Sequence, residues 1–138
     1  MVKELSPLVF HLRYFAQPNE LLIIDEPEMN LHPTAQVQIL EFLAILANKG
    51  INVLITTHSP YIIDHLGNLT KAYQHPDKER IQSEFYLKDH NAFIDEKNVS
   101  MQFLGNGTIQ DTMHTEEFDW NTLHRFLTVC RKSFSCCN

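Results

Sequence analysis

The chain has 138 residues and a formal net charge of −6 at pH 7, and its 43% hydrophobic and 20% charged residues are ordinary for a globular protein. No apolar run approaches the roughly 20 residues of a membrane-spanning helix, and the N-terminus lacks the basic-then-apolar layout of a signal peptide. We therefore predict a cytoplasmic protein. The acidic balance argues against a nucleic-acid surface formed by this chain alone, but it leaves DNA binding by a larger assembly open.

The first 25 residues predict a helix followed by a strand. Apolar residues between positions 2 and 16 recur at spacings of three and four, which indicates one apolar face of an amphipathic helix. Pro7 fits best in the first turn of that helix, with Ser6 as its cap. The run Leu21-Leu22-Ile23-Ile24 then predicts a strand buried on both faces, as in a parallel sheet.

A second helix and a second strand come next, at short intervals. His32-Pro33 opens a helix over about residues 33–48, and Gly50 sits where a left-handed cap would end it. Residues 51–56 form a buried strand rich in β-branched side chains. Ser59 and Pro60 then predict the cap and first position of a short helix that Gly67 closes. Strand, helix and strand with short joints predict a right-handed crossover and parallel pairing.

The remainder of the chain carries weaker signals. Segments 99–104 and 108–112 flank Gly105-Asn106-Gly107, which predicts a β-hairpin, and residues 118–126 are expected to be helical. Cys130, Cys136 and Cys137 are an odd count at one terminus, which is not a disulfide framework. We predict that residues 1–70 form the main subdomain and that residues 71–138 form an extension of the same domain.

Chemistry-bearing side chains lie directly after both predicted strands. Asp25 and Glu26 come after the first, and His58 comes after the second. The carboxyl ends of parallel strands form the ligand-binding edge of open α/β sheets, so the pattern predicts an Mg-nucleotide site with a hydrolytic set of side chains. Each signal alone has a simpler interpretation, because Asp-Glu-Pro can be a polar turn and a lone histidine is more often structural. The joint spacing is more specific.

With these motifs, the sequence resembles the carboxyl-terminal part of an ABC-type ATPase head in the branch that contains RecF, SMC and OLD-like proteins. It is most similar to AAA-type ATPases of the OLD kind. Residues 22–28 (Leu-Ile-Ile-Asp-Glu-Pro-Glu) match the Walker B motif, residues 30–33 (Asn-Leu-His-Pro) match the D-loop, and residues 56–60 (Thr-Thr-His-Ser-Pro) match the switch-histidine loop. The resemblance implies an α/β fold: a partial P-loop NTPase sheet with parallel core strands and flanking helices, plus a small C-terminal hairpin and helix.

The resemblance also implies residue roles and ligands. Asp25 would hold Mg²⁺ through water, Glu26 would polarise the attacking water, and His58 would contact the γ-phosphate of ATP. All three would contact the bound Mg-ATP. Asn30, Leu31 and His32 would lie at the interface with a second ATPase head, as in a homodimer of the parent protein. DNA or a nuclease would be further partners of the parent, and no membrane partner is implied.

Two family elements are missing from the sequence. No G-x-x-x-x-G-K-[ST] P-loop occurs, and the signature serine segment would lie just before Met1. We therefore expect the carboxyl-terminal half of a larger ATPase in DNA repair, DNA processing or phage defence, with ATP hydrolysis in the intact parent and an inactive isolated chain. The alternative is a non-catalytic remnant or interaction module. A transporter's nucleotide-binding subunit is disfavoured, because its histidine more often precedes an aspartate.

Overall fold

The computed structural model describes residues 2–105, 108–111 and 125–129, with side chains from residue 6 to residue 102. The elements are α1 Val2–Tyr14, β1 Leu21–Asp25, α2 Pro33–Asn48, β2 Asn52–Thr57, α3 Pro60–Gln74, α4 Lys78–Ile81, β3 Val99–Gly105, β4 Thr108–Asp111 and β5 Arg125–Val129. Short 3-10 turns lie at Gln82–Glu84, His90–Ala92 and Glu96–Asn98. Within this part of the chain, no helix is long and apolar enough to cross a membrane.

The strands form one mixed sheet in the order β1-β2-β5-β3-β4. β1 and β2 pair in parallel, with Asp25 opposite Thr56, which confirms the predicted strand, helix and strand unit. β2 pairs on its other side with β5 in the antiparallel direction, so parallel pairing is limited to β1 and β2 among the described strands. The predicted hairpin is confirmed, since β3 and β4 are antiparallel and Gly105 lies opposite Thr108.

Helix α2 has the ends that its sequence predicts. His32 accepts a hydrogen bond from Thr34 N at 3.4 Å, and Pro33 occupies the first helical position. At the other end Gly50 has a φ of 99°, and its N–H donates to Ala47 O at 3.0 Å. Ile51 N donates to Leu46 O at 3.2 Å, which completes a Schellman cap in which glycine bears the left-handed conformation without strain.

The core lies between α2, β2 and α3. Val53 and Ile55 of β2 are buried, and Leu40 and Leu43 of α2 are each 1% exposed. Helix α3 continues through Gly67 to Gln74, so the expected closure at Gly67 is wrong. The reason is tertiary: α3 carries a buried stripe along its whole length, and burial of that stripe outweighs the cost of about 1 kcal/mol for an interior glycine. The stripe residues are Ile62, Leu66, Leu69 and Ala72.

Three further expectations are corrected. Helix α1 begins at Val2, so Pro7 lies inside it and Ser6 does not cap it. Pro7 cannot donate a hydrogen bond to the carbonyl of Lys3 in the first turn. Packing of the apolar stripe stabilises the helix beyond the proline. Residues 125–126 belong to β5 rather than to a helix, because they pair with β2 and β3. Residues 118–124 and the cysteine-bearing tail lie outside the described residues.

Strand β1 is an edge strand rather than a strand buried on both faces. Leu22 and Ile24 pack against the core, whereas Leu21 and Ile23 are 54% and 64% exposed. Helix α1 likewise packs Leu8 and Leu12 inward and leaves a second apolar face in solvent. That face comprises Val9, Phe10 and Tyr14, and the exposed Phe15 follows directly after the helix. Exposed apolar faces and an open strand edge mark interaction surfaces or aggregation hazards.

Asn48 links the end of α2 to the segment that precedes β3. Its Nδ2 donates to Asn91 O at 2.7 Å and to Phe93 O at 2.9 Å, and Phe93 is buried against the core. Beside it, Asn91 N donates to the carboxylate of Asp89 and lowers the pKa of that group. The segment is therefore held by two local polar anchors as well as by its apolar side chains.

We predict that Asn48→Ala lowers the free energy of unfolding by about 1–2 kcal/mol, because two carbonyls lose their donor. Gln38→Ala is the matched control, since Gln38 is an exposed residue of the same helix whose side chain forms no hydrogen bond among the described residues. Chemical denaturation followed by circular dichroism measures both. Equal losses in the two variants would contradict the anchor.

We also predict that the 138-residue chain forms oligomers or precipitates when it is expressed alone. Association would bury the apolar side chains that α1 and β1 leave exposed to water. Sedimentation velocity over a concentration series measures this. Phe10→Ser combined with Ile23→Thr should shift the distribution toward monomer, whereas Tyr61→Ser, an exposed aromatic on α3, should not. A concentration-independent monomer of the unmodified chain would refute the prediction.

Candidate functional site at the ends of the parallel strands

The backbone turns sharply where β1 ends. Glu26 N donates to Thr56 O at 3.1 Å, which extends the ladder by one residue, and it also lies 3.1 Å from Thr56 Oγ1. Glu26 then has a φ of 45°, in the left-handed region. This conformation costs a non-glycine residue roughly 1–2 kcal/mol, and such strain concentrates at functional sites. The turn lifts the Glu26 side chain toward the loop after β2.

Glu26 and His58 contact each other across the two strand ends. His58 Nε2 lies 2.8 Å from Glu26 Oε1, and both side chains are about one-third exposed. A carboxylate can only accept, so Nε2 carries the hydrogen in this arrangement. The pair is a hydrogen bond when the imidazole is neutral and an ion pair when it is protonated. Two of the predicted site residues are therefore in direct contact.

Asp25 lies beside this pair at the tip of β1. Its Oδ1 accepts a hydrogen bond from the hydroxyl of Thr56, and Oδ2 has no partner among the described residues. Described residues include no cluster of three or more metal-ligating side chains. Mg²⁺, however, is often held by one or two carboxylates together with waters and substrate phosphates, so an exposed carboxylate with one free oxygen fits that ion. Asp25 could hold Mg²⁺ in this way.

Glu28 braces the site, a role that the sequence did not predict. It is 8% exposed, and its Oε1 accepts from Thr57 Oγ1 at 2.5 Å and from His58 N at 2.9 Å. The carboxylate thereby joins the loop after β1 to the loop after β2. A buried charge needs donors of this kind, and they fix the backbone from which His58 projects. The sequence signal was a further glutamate two residues after Glu26, but the sequence does not indicate which groups donate hydrogen bonds to it.

A second polar link runs beneath the histidine loop. Ser59 caps α3 as predicted, with Ile62 N donating to its Oγ at 3.4 Å. The same hydroxyl donates to Gln36 Oε1 at 2.5 Å, and Gln36 Nε2 donates to Leu31 O at 2.9 Å. The amide of α2 therefore connects the start of α3 with the segment that precedes α2. Gln36 was also not predicted from the sequence.

The three predicted interface residues differ in exposure. Asn30 and His32 are exposed, and Asn30 has a φ of 61°, which asparagine tolerates better than most residues. Leu31 is 9% exposed and packs in the core cluster. The surface that this segment offers to a partner therefore comes from the two residues on either side of Leu31. Their role at an interface stays a prediction.

Comparisons with known proteins agree with the coarse resemblance. Residues 2–64 match the family described as "AAA domain, putative AbiEii toxin, Type IV TA system". The chain is also similar to the Old nuclease of Escherichia phage P2, with 33% identity over 84 residues that cover 59% of this chain and 12% of the phage protein. The chain thus spans a small share of that relative. No solved structure matches it. These matches support an AAA-type, OLD-like ATPase relationship.

We predict that Glu28→Ala lowers the free energy of unfolding by about 1–3 kcal/mol, because the Thr57 hydroxyl and the His58 amide lose a buried acceptor. Glu28→Gln should retain most of the stability, since the amide oxygen can still accept both bonds. Exposed Glu79→Ala is a surface control. Denaturant unfolding measures the free energy of unfolding of the three variants. Equal stability of the alanine and glutamine variants would contradict the stabilising role of Glu28.

Proposed function

We propose that this chain forms the part of an AAA-type, OLD-like ATPase head that carries the Walker B motif, the D-loop and the switch-histidine loop. The parent protein would act in DNA repair, DNA processing or phage defence, in the cytoplasm. One observation carries the proposal: Asp25, Glu26 and His58 lie together at the carboxyl ends of two parallel strands. The family match over residues 2–64 includes all three positions and supports it.

Each of the three side chains has a role in ATP hydrolysis under this proposal. Bound Mg²⁺ supplies positive charge to the phosphates, and Asp25 would hold it through water with its free oxygen. Glu26 would accept a hydrogen bond from the attacking water and orient it. His58 would donate from Nε2 to the γ-phosphate. Positioning and charge stabilisation of this kind account for most of phosphoryl transfer.

The contact between Glu26 and His58 makes these roles interdependent. The Nε2–H of His58 is a single donor, and Glu26 accepts it. A γ-phosphate that takes this donor releases Glu26 Oε1 to accept from water instead. Glu26 and a bound γ-phosphate would therefore compete for the same donor of His58. Glu28 and Thr56 would keep the two loops in register while the donor changes partner.

Two partners are part of the proposal. A P-loop is absent from these 138 residues, so the backbone N–H groups that cradle phosphates would come from another segment of the ATPase head. A second head, as in a homodimer, would meet the surface around Asn30 and His32. DNA or a nuclease domain would act through the parent protein. No membrane partner belongs to the proposal.

The second candidate is an interaction module that keeps the fold and hydrolyses nothing by itself. The exposed faces of α1 and β1 favour it, because Phe10, Phe15 and Ile23 are each more than half exposed. Both candidate functions are compatible with the same fold. A measurement of ATP hydrolysis by the parent protein distinguishes them.

We predict no significant ATP hydrolysis by the 138-residue chain, because its sequence contains no P-loop to hold the ATP phosphates beside Glu26 and His58. Phosphate release with ATP and Mg²⁺ measures this directly. Robust turnover by this chain would overturn the proposal that it is one part of a larger catalytic head.

In the parent protein, Glu26→Gln should abolish turnover while ATP binding is retained, since the amide keeps the shape of the side chain and loses the base. The loss should be of the order of 10²–10⁴-fold, the usual contribution of acid–base groups. His58→Ala should also slow turnover. Glu79→Gln, an exposed carboxylate on α4, is the matched control. Unchanged turnover in Glu26→Gln would show that the catalytic assignment is wrong.

A further inference from the structure

A cleft of about 700 Å³ lies between α3, α4 and the segment after α4. We call it the α3–α4 cleft, and the lining residues that matter here are His65, Asn68, Lys71, Arg80, Glu84 and Tyr86. It shares no described residue with the site at the ends of β1 and β2. Its volume falls within the range of about 300–1,000 Å³ that small-molecule sites occupy.

The cleft is a locally basic place in an acidic chain. Lys71 and Arg80 both line it, and neither side chain forms an ion pair within the part of the chain that the structure describes. Glu84 is the carboxylate among the described lining residues. The whole sequence has a formal net charge of −6, so the two unpaired cations do not reflect a general basic excess. Lysine and arginine together are suited to phosphate.

A buried carboxylate holds the wall of the cleft in place. Glu41 of α2 is fully buried, and it accepts hydrogen bonds from Leu87 N at 2.7 Å, Tyr86 N at 3.2 Å and His65 Nε2 at 2.8 Å. Three donors offset the cost of a buried charge. They also fasten Tyr86 to α2 and fix the hydrogen of His65 on Nε2. The cleft is therefore organised before any ligand enters.

Aromatic contacts stabilise the same wall from both sides. The Phe85 ring lies 5.6 Å from the His65 ring and packs edge-on at 4.8 Å against buried Phe93. Lys78 Nζ lies 3.8 Å from the centre of the Tyr73 ring, which ties α4 to α3. Tyr86 is 51% exposed and lines the cleft together with Lys71 and Arg80.

We propose that the α3–α4 cleft binds a small phosphorylated ligand that carries a planar ring, of about the size of a mononucleotide. Lys71 and Arg80 bind the phosphate, Asn68 supplies a neutral amide, and the ring stacks on Tyr86. Glu41 and His65 are positioning residues that hold this wall. The site is separate from ATP hydrolysis at Glu26 and His58, and it does not depend on that proposal.

The test titrates the 138-residue chain carrying Phe10→Ser and Ile23→Thr, both outside the cleft, with AMP and with inorganic phosphate by calorimetry, and it maps the bound region by hydrogen–deuterium exchange. AMP should bind more tightly than inorganic phosphate and should protect peptides within 65–86. Lys71→Gln and Arg80→Gln should each weaken AMP binding by about tenfold or more, as expected for a lost charge-assisted contact. Tyr86→Ala should reduce the advantage of AMP over phosphate and keep the backbone bond to Glu41.

Two controls separate this site from simpler explanations. Lys97→Gln removes one positive charge from an exposed position outside the cleft and should leave AMP binding nearly unchanged. The second control is the exchange map itself, because binding at the strand-end site would protect residues 25–28 and 56–59 rather than peptides within 65–86. The proposal is overturned if neither probe binds, if Lys97→Gln weakens binding as much as Lys71→Gln, or if protection appears at residues 25–28 and 56–59 instead of the cleft.

Discussion

The carboxylate of Glu28 joins the two loops from which the candidate site is built. Parallel pairing brings the ends of β1 and β2 to the same edge, but the ladder of backbone bonds ends at Glu26 and does not orient the loop residues beyond it. Glu28 continues the connection past the ladder by accepting from the Thr57 hydroxyl and the His58 amide. Because the carboxylate is nearly buried, those bonds are poorly screened and hold His58 within reach of Glu26.

Glutamate serves the same purpose at the opposite side of α2. Glu41 is buried and accepts hydrogen bonds from α3 and from residues 86 and 87, whereas both donors to Glu28 are consecutive residues at the end of β2. In each case a buried glutamate carboxylate accepts hydrogen bonds from backbone N–H groups that lie outside the helices and strands, and so fixes that backbone. Irregular segments carry donors that a sheet or helix would otherwise satisfy, so one carboxylate with several acceptor sites can satisfy several of them. Both glutamates lie next to clefts or side-chain pairs that could bind ligands.

The sequence predicted the elements whose signals are local. Proline at the first position of α2, glycine at its end and serine before α3 each act within a few residues, and all three positions were correct. Prediction failed where distant contacts decide. Gly67 does not end α3 because the buried stripe continues beyond it, and β1 has one open face because of its place at the sheet edge.

The candidate site shows the same division. The positions of Asp25, Glu26 and His58 at one edge could be predicted from strand spacing, since parallel strands place their carboxyl ends together. Glu28 and Gln36 were not identified, because their partners lie 30 and 23 residues away along the chain and no periodic pattern encodes such a contact. Roles that depend on a ligand or a second protein lie beyond what spacing alone can predict.

The left-handed backbone at Glu26 costs stability at the position whose carboxylate contacts His58. Glycine or asparagine would adopt a φ of 45° with less strain, so selection for stability alone would favour either of them over glutamate. The carboxylate that contacts His58 nevertheless stands at this strained position. Among natural variants of this chain, the residue at position 26 would therefore distinguish lineages that kept a demand on the site from lineages in which only the fold was maintained.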